Sequence, residues 1–203
     1  VVGFPGGSSP DLTARTFSEP LSNLLGQPVI VENKAGAGGN IGAAEVARAK
    51  DDHTIGLMIN GNMTIAKILN PSTAYDPLKD FEYIGQVLDV PMTLLSRKDF
   101  PANNFQELQD YVKKNQEKVS LANAGIGAVS QLCGMLLMHQ LGVNLTTIPY
   151  KGAGQALNDA LGGQVNAMTD NLSSSLTNIK AGKLRPLAVL ALKRTEMLPD
   201  VPT

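Results

Sequence analysis

Two rhythms alternate along this chain. Apolar residues bunch into short runs at 1–4, 28–32 and 54–59, and between those runs they recur at helical spacing over 11–25 and 41–50. The runs are rich in Val and Ile and bounded by Gly or Pro, which predicts strands; the spaced stretches predict helices with one apolar face. Such an order predicts a βαβαβ unit whose ligands lie beyond the carboxyl ends of its strands. After a polar, proline-containing stretch at 70–80 the alternation resumes. Strands are predicted at 81–87, 91–96, 118–122, 146–150, 165–168 and 187–190, and helices at 105–114, 130–141, 154–161 and 172–181. The pattern therefore predicts an α/β protein with two units.

Two strand-to-helix junctions stand out. The first strand runs into Pro5-Gly6-Gly7-Ser8-Ser9-Pro10-Asp11, and the strand at 118–122 runs into Asn123-Ala124-Gly125-Ile126-Gly127-Ala128-Val129-Ser130. A junction of this kind leaves N–H groups unpaired at the positive end of a helix dipole, a setting that favours a carboxylate or phosphate. One such loop alone reads as a tight turn. Two of them, one per unit, predict a single anion gripped from both sides.

Composition narrows the partners. With 203 residues, 43% of them hydrophobic and 17% charged, the chain can bury the core of one large or two small domains. A net charge of −1 without a dense Lys/Arg cluster leaves no footprint for nucleic acid or an acidic membrane surface. No apolar stretch nears the roughly 18 residues of a membrane-spanning helix, and the first residues lack a basic-then-apolar leader. If the protein is exported, its leader is expected to lie outside this chain.

Catalytic chemistry finds little to build on. Cys133 sits in the apolar run Leu132-Cys133-Gly134-Met135 with no His or basic neighbour, and reads as a small core residue. His53 and His139 lie in unrelated segments and read as surface or helix-end residues. There is no G-x-S-x-G, Walker A or H-E-x-x-H motif, and no carboxylates pair at an acid/base spacing. The expectation is a protein with no catalytic residues, no metal and no cofactor. The run Gly36-Ala37-Gly38-Gly39-Asn40-Ile41-Gly42 invites a dinucleotide reading, but the third glycine position falls on Ile41 and no acidic residue ends the next strand near Met58. It reads as a structural turn.

The loop at 4–11, the run at 26–42, Tyr75-Asp76-Pro77-Leu78-Lys79-Asp80-Phe81, Pro149-Tyr150-Lys151-Gly152, Leu161-Gly162-Gly163-Gln164-Val165, the stretch at 179–189 and Leu198-Pro199-Asp200-Val201-Pro202-Thr203 share one resemblance. In order and over nearly the whole chain they resemble the Bug/TctC family, the extracytoplasmic solute-binding receptors of tripartite tricarboxylate transporters. The resemblance implies a two-domain, type II periplasmic binding protein fold. Its domains would be 1–90 and 91–188, with a return segment at 189–203 and hinge strands near 90–96 and 186–191. It also implies a periplasmic, monomeric receptor that captures a small carboxylate in the interdomain cleft and delivers it to the transporter's membrane subunits. The alternative is an enzyme or ligand sensor built on the same cleft, distinguished by turnover of the bound acid. Family chains run well past Thr203, so a further segment is expected to return to the first domain.

In that family the carboxylate is held by backbone amides, hydroxyls and ordered waters from the two loops, and here neither loop contains Arg or Lys. The residues this implies are Gly6, Gly7, Ser8 and Ser9 in the first loop and Ala124, Gly125, Gly127 and Ala128 in the second. Phe4 is expected to pack near the ligand or shape its loop, and Asp11 to cap the helix. Tyr150, Lys151, Gly152 and Asp170 follow predicted strand ends and, with Asn60, Gly61 and Asn62, are the specificity candidates. Lys151 reads equally as a surface lysine, and 60–62 equally as an ordinary turn. The sequence departs from the family at Gly6, where proline is usual, at Ser8 and Ser9, where glycines are, and at Pro10, where Thr or Ser is. The family's Ser/Thr-x-x-His is replaced by Ala128-Val129-Ser130-Gln131. Pro10 removes an N–H near the helix start, while the two serines add hydroxyls.

Overall fold

Val2 is fully buried because chain runs past it on both sides. In the computed structural model, which describes residues 1–203, it forms parallel bridges to Asn33 and to Leu57. Its N–H donates to the Glu32 carbonyl and its carbonyl accepts from the Lys34 N–H, both at 2.8 Å, while the Leu57 N–H reaches the Val1 carbonyl at 3.0 Å. The three segments predicted as strands at 1–4, 28–32 and 54–59 thus lie side by side, but each meets its neighbour at a single bridge. No extended ladder forms. Gly3, Pro5, Pro28 and Gly56 interrupt these segments, and proline gives no ladder donor while glycine weakens a strand.

The helices of this domain are α1 (Ser9–Leu25), α2 (Asn40–Arg48) and the short α3 (Ala66–Leu69). Ala14 of α1 packs with Val2 and Phe4, and Ala43 and Ala44 of α2 pack with Tyr75. The glycine run that resembled a nucleotide loop lets α2 approach the first segment: a Cβ on Gly3 would lie 2.6 Å from the Gly39 carbonyl oxygen, and one on Gly42 2.7 Å from the Gly3 Cα. Residues 61–65, which include two of the candidates at 60–62, form a π-helical turn leading into α3. The strand expected at 81–87 fails. Residues 81–87 form no strand; no neighbour pairs with them and Tyr83, Ile84 and Val87 stay exposed, since β-propensity alone does not hold a strand without a partner.

The second domain is a true sheet. It comprises β1 (Met92–Arg97), β2 (Ser120–Asn123), β3 (Thr146–Pro149), β4 (Ala167–Asn171) and β5 (Leu184–Leu190), with α4 (Phe105–Asn115), α5 (Val129–Leu141), α6 (Ala153–Leu161) and α7 (Leu172–Lys180) between them. The order is β3-β2-β4-β1-β5. β2 runs parallel to β3 and β4, whereas β1 runs antiparallel to β4 and β5, so this unit is mixed rather than a repeat of the parallel pattern. Leu94 and Leu95 point to opposite faces and both are buried, one in the core under α4 and α5, the other in the core under α6 and α7. Gly134 lets α5 settle on β2; a Cβ there would lie 2.9 Å from Leu121 Cδ2. Cys133, beside it, is half-buried rather than core, and burial pushes its thiol pKa up.

The chain enters this sheet at Met92 and leaves it at Leu190, and these two residues are paired. Residues beyond stay close: the Pro202 carbonyl accepts the Val189 N–H at 2.7 Å, and Leu198 packs against the core under α6 and α7.

Candidate functional site

The two loops singled out by sequence share one backbone design. In the first, the Ser8 N–H donates to the Pro5 carbonyl at 3.2 Å; in the second, the Ala128 N–H donates to the Gly125 carbonyl at 3.1 Å. The third residue of each turn is a glycine with positive φ, +81° at Gly7 and +82° at Gly127. That is the conformation a type II turn demands, and it explains glycine at both places. Ser8 and Ala128 then cap α1 and α5 with nearly the same extended angles. In each helix the third residue reaches back to brace its glycine: Asp11 Oδ2 accepts the Gly7 N–H, and Gln131 Oε1 accepts the Gly127 N–H, both at 2.8 Å.

Further braces fix each loop. Asn33 Nδ2 donates to the Phe4 carbonyl at 2.8 Å and to Asp11 Oδ1 at 2.9 Å, and the Arg15 Nε lies 3.0 Å from Asp11 Oδ1. Burial alone would raise the Asp11 carboxyl, but the hydrogen bonds from Arg15, Gly7 and Asn33 outweigh it and hold the pKa below the usual carboxylate range. In the second loop Ser130 Oγ accepts the Ala124 N–H at 2.9 Å and Asn123 Oδ1 accepts the Gly125 N–H at 3.0 Å. The amides of Gly7, Ser8, Ala124, Gly125, Gly127 and Ala128 are therefore engaged within their own loops. The amides of Gly6, Ser9, Val129 and Ser130 have no acceptor in the chain. Asn33→Ala removes the donor that ties Phe4 to Asp11 and is expected to cost about 2 kcal/mol, read as a lowered urea midpoint with an unchanged slope.

Each loop touches the opposite domain. Ser9 Oγ and Ser173 Oγ are 2.7 Å apart, joining the start of α1 to the first turn of α7. Gly125 lies against Gly38, where an added Cβ would come 3.4 Å from the Gly38 Cα. A Cβ on Gly152 would stand 2.5 Å from Pro5 Cδ, and one on Gly61 would collide with the Gly127 carbonyl. Glycines on both sides thus let the two domains approach closely.

Other candidates are placed differently. Phe4 is buried in the first domain's core and shapes the loop from beneath; a Cβ on Gly39 would lie 2.8 Å from its ring. Asn62 is buried and its side chain works inside the first domain, Nδ2 donating to the Gly38 carbonyl at 2.9 Å and to Asn40 Oδ1 at 2.8 Å. The Tyr75 hydroxyl closes that network, 2.8 Å from Asn40 Oδ1 and 2.9 Å from the Asn62 carbonyl, and burial pushes its pKa up to about 12. Asn60 and Lys151 are exposed. Tyr150 turns away, its hydroxyl donating to Asp159 Oδ2 at 2.6 Å; burial and that carboxylate push its pKa up to about 12. Asp170 is 2% exposed and is the penultimate residue of β4. Its carboxylate accepts from Ser174 Oγ at 2.6 Å and meets no cation, so burial pushes its pKa up to about 6.

Sequence reasoning missed Asn33, Asn40, Gly38 and Ser173. All but Ser173 lie in the long family-like run at 26–42, whose length was the available signal. Ser173 sits one turn past a predicted strand end, and nothing local marks it.

A model of the tripartite tricarboxylate transporter family receptors matches residues 13–203. The structure of the periplasmic binding protein BugD shares 51% sequence identity and superposes with a TM-score of 0.95 over 99% of this chain and 67% of its own. MatC from Rhodopseudomonas palustris with bound malate shares 36% identity, with a TM-score of 0.94 over 100% of this chain and 69% of its own. The UPF0065 protein in the TAR-I ttuE-ttuC' intergenic region of Agrobacterium vitis is 42% identical over 197 residues, which are 97% of this chain and 57% of that protein. The chain thus spans little more than half of that relative and about two thirds of the two solved chains.

Proposed function

This chain belongs to the tripartite tricarboxylate transporter receptor family, and from that membership we propose that it captures a small carboxylate between its two domains and delivers it to a transporter's membrane subunits. The observation that carries this reading is the pair of matched turn–helix loops, one in each domain, each of which touches the opposite domain at a glycine. The free amides of Gly6 and Ser9 on one side and of Val129 and Ser130 on the other supply the hydrogen bonds. With water excluded, each bond to the anion strengthens, so no ion pair is required. Gly152 and Asp170 complete the wall on the second-domain side. The two domains, 1–90 and 91–188, close about the paired entry and exit at Met92 and Leu190. The relatives are periplasmic binding proteins, and the same compartment and a monomeric form are proposed for this chain.

A thermal-shift panel tests the proposal directly. Lactate, malate, succinate, adipate, citrate and aspartate are added at neutral pH, and at least one is expected to raise the melting temperature in proportion to the logarithm of its concentration. A flat response to all six from a chain that unfolds cooperatively overturns it.

A further inference from the structure

Serines crowd the starts of α1 and α7, and most of them spend their hydroxyls locally. Ser8 Oγ donates to the Pro5 carbonyl at 2.7 Å, and Ser174 and Ser175 turn back to the Asn171 carbonyl at 2.9 and 3.2 Å, the habit of serine near a helix start. Ser9 and Ser173 do otherwise. Their hydroxyls meet at 2.7 Å across 164 residues of chain, and neither bonds to its own helix. No other hydrogen bond joins residues 1–90 to 91–203, and no ion pair does so. The contacts at Gly38, Gly61, Gly125 and Gly152 are packing alone. Ser9 is buried and its N–H has no acceptor in the chain, so this residue offers its amide to the cleft and its hydroxyl to the opposite domain. Ser173 is exposed on α7, and nothing in its own domain uses its hydroxyl.

We infer that Ser173 is a positioning residue for ligand binding: through its hydroxyl it holds Ser9, and with it the Ser9 amide, against the second domain once the cleft has shut. This rests on the receptor reading above and adds to it a residue that sets how long the ligand stays. When the domains part, each hydroxyl exchanges its partner for water. When they come together the bond re-forms, and a net contribution of the usual size corresponds to a factor of roughly two to ten in the closed population. Because the bond forms after the ligand has entered, it acts on release and not on encounter.

The test compares Ser173→Ala, Ser9→Ala, the double variant and Ser173→Thr with the wild type. Calorimetric titration gives the affinity for the best acid of the panel, and dilution of the radiolabelled complex gives its release rate. Each alanine variant is expected to lose about five- to tenfold in affinity, carried by faster release. The ligand-free melting temperature of Ser173→Ala is expected to stay within about two degrees of the wild type, because the lost group is exposed and makes no bond within its own domain. The double variant is expected to bind no worse than either single one, since one bond is lost only once. Ser173→Thr keeps the hydroxyl and is expected to recover most of the lost affinity. Wild-type affinity in Ser173→Ala overturns the inference and leaves the receptor reading standing. So do losses that add in the double variant, which would mean that each hydroxyl meets the ligand by itself. A wild type that binds none of the six acids overturns both.

Discussion

Alanine at Gly61 or at Gly152 is expected to weaken ligand binding about a hundredfold while leaving the ligand-free protein as stable as before. The contrast follows from what a new methyl group meets. At Gly61 the nearest atoms all belong to Gly127 and Ala128, and at Gly152 all belong to Pro5, so each obstruction lies across the cleft and none within the residue's own domain. Neither glycine needs its special backbone freedom: Gly61 lies in a helical turn and Gly152 has φ 168°, which any residue adopts. Alanine even favours the helical turn. The open form accepts the methyl group, while the closed form must part by about an ångström or more to avoid it. A ligand that gains its affinity from closure loses that share, and a hundredfold corresponds to about 2.7 kcal/mol. Calorimetric titration with the best acid of the panel gives the number, and small-angle scattering shows whether the ligand still compacts the chain. Wild-type affinity in both variants would mean that closure through the glycine seam has no part in binding.

Asp170→Asn is expected to stabilise the protein near neutral pH. A carboxyl pushed up to about 6 from the ordinary carboxylate range is more easily protonated in the folded than in the unfolded chain. Its ionisation therefore opposes folding. The sign is opposite to that of a salt-bridged acid: the penalty is absent below the unfolded pKa, grows as pH rises towards 6, and stays constant above. About two units correspond to roughly 3 kcal/mol, of which the amide returns a part because its NH2 group needs an acceptor. A net gain of about 1–2 kcal/mol at pH 7.5 is expected, shrinking to nothing by about pH 4. Thermal melts of both proteins across that range measure it, and a gain independent of pH would refute the electrostatic origin. A costly buried carboxylate beside the cleft is the kind of group that function retains. The variant's affinity for the panel acids is accordingly expected to change along with its stability.

Much of the second domain was legible in the sequence because its apolar residues alternate between short runs and helically spaced stretches. The helices at 105–115, 129–141, 153–161 and 172–180 lie within two residues of their predicted ends, and their strands lie where short apolar runs were seen. The first domain was less legible. The runs at 1–4, 28–32 and 54–59 are apolar enough for strands, yet they touch only at Val2, and 81–87 finds no partner at all. Pairing is a property of neighbours, which a single run cannot report.

By itself the sequence determined the alternation of strands and helices, the two glycine loops and the family. Glycine at 7 and 127, a hydroxyl or small residue at the cap, and an acceptor three positions on are local requirements of a turn opening a helix, and local requirements are written locally. Which amides remain free was decided only in three dimensions. The side chains of Asp11, Ser130, Asn123 and Gln131 compete for the loop N–H groups, so six of the eight loop candidates spend their amides at home, while Gly6 and Ser9 keep theirs, as do Val129 and Ser130. Closure, too, belongs to the tertiary structure: Gly38 meets Gly125, and Ser9 meets Ser173, across 87 and 164 residues of chain. Such contacts depend on how two domains approach, and no spacing along the chain encodes that distance.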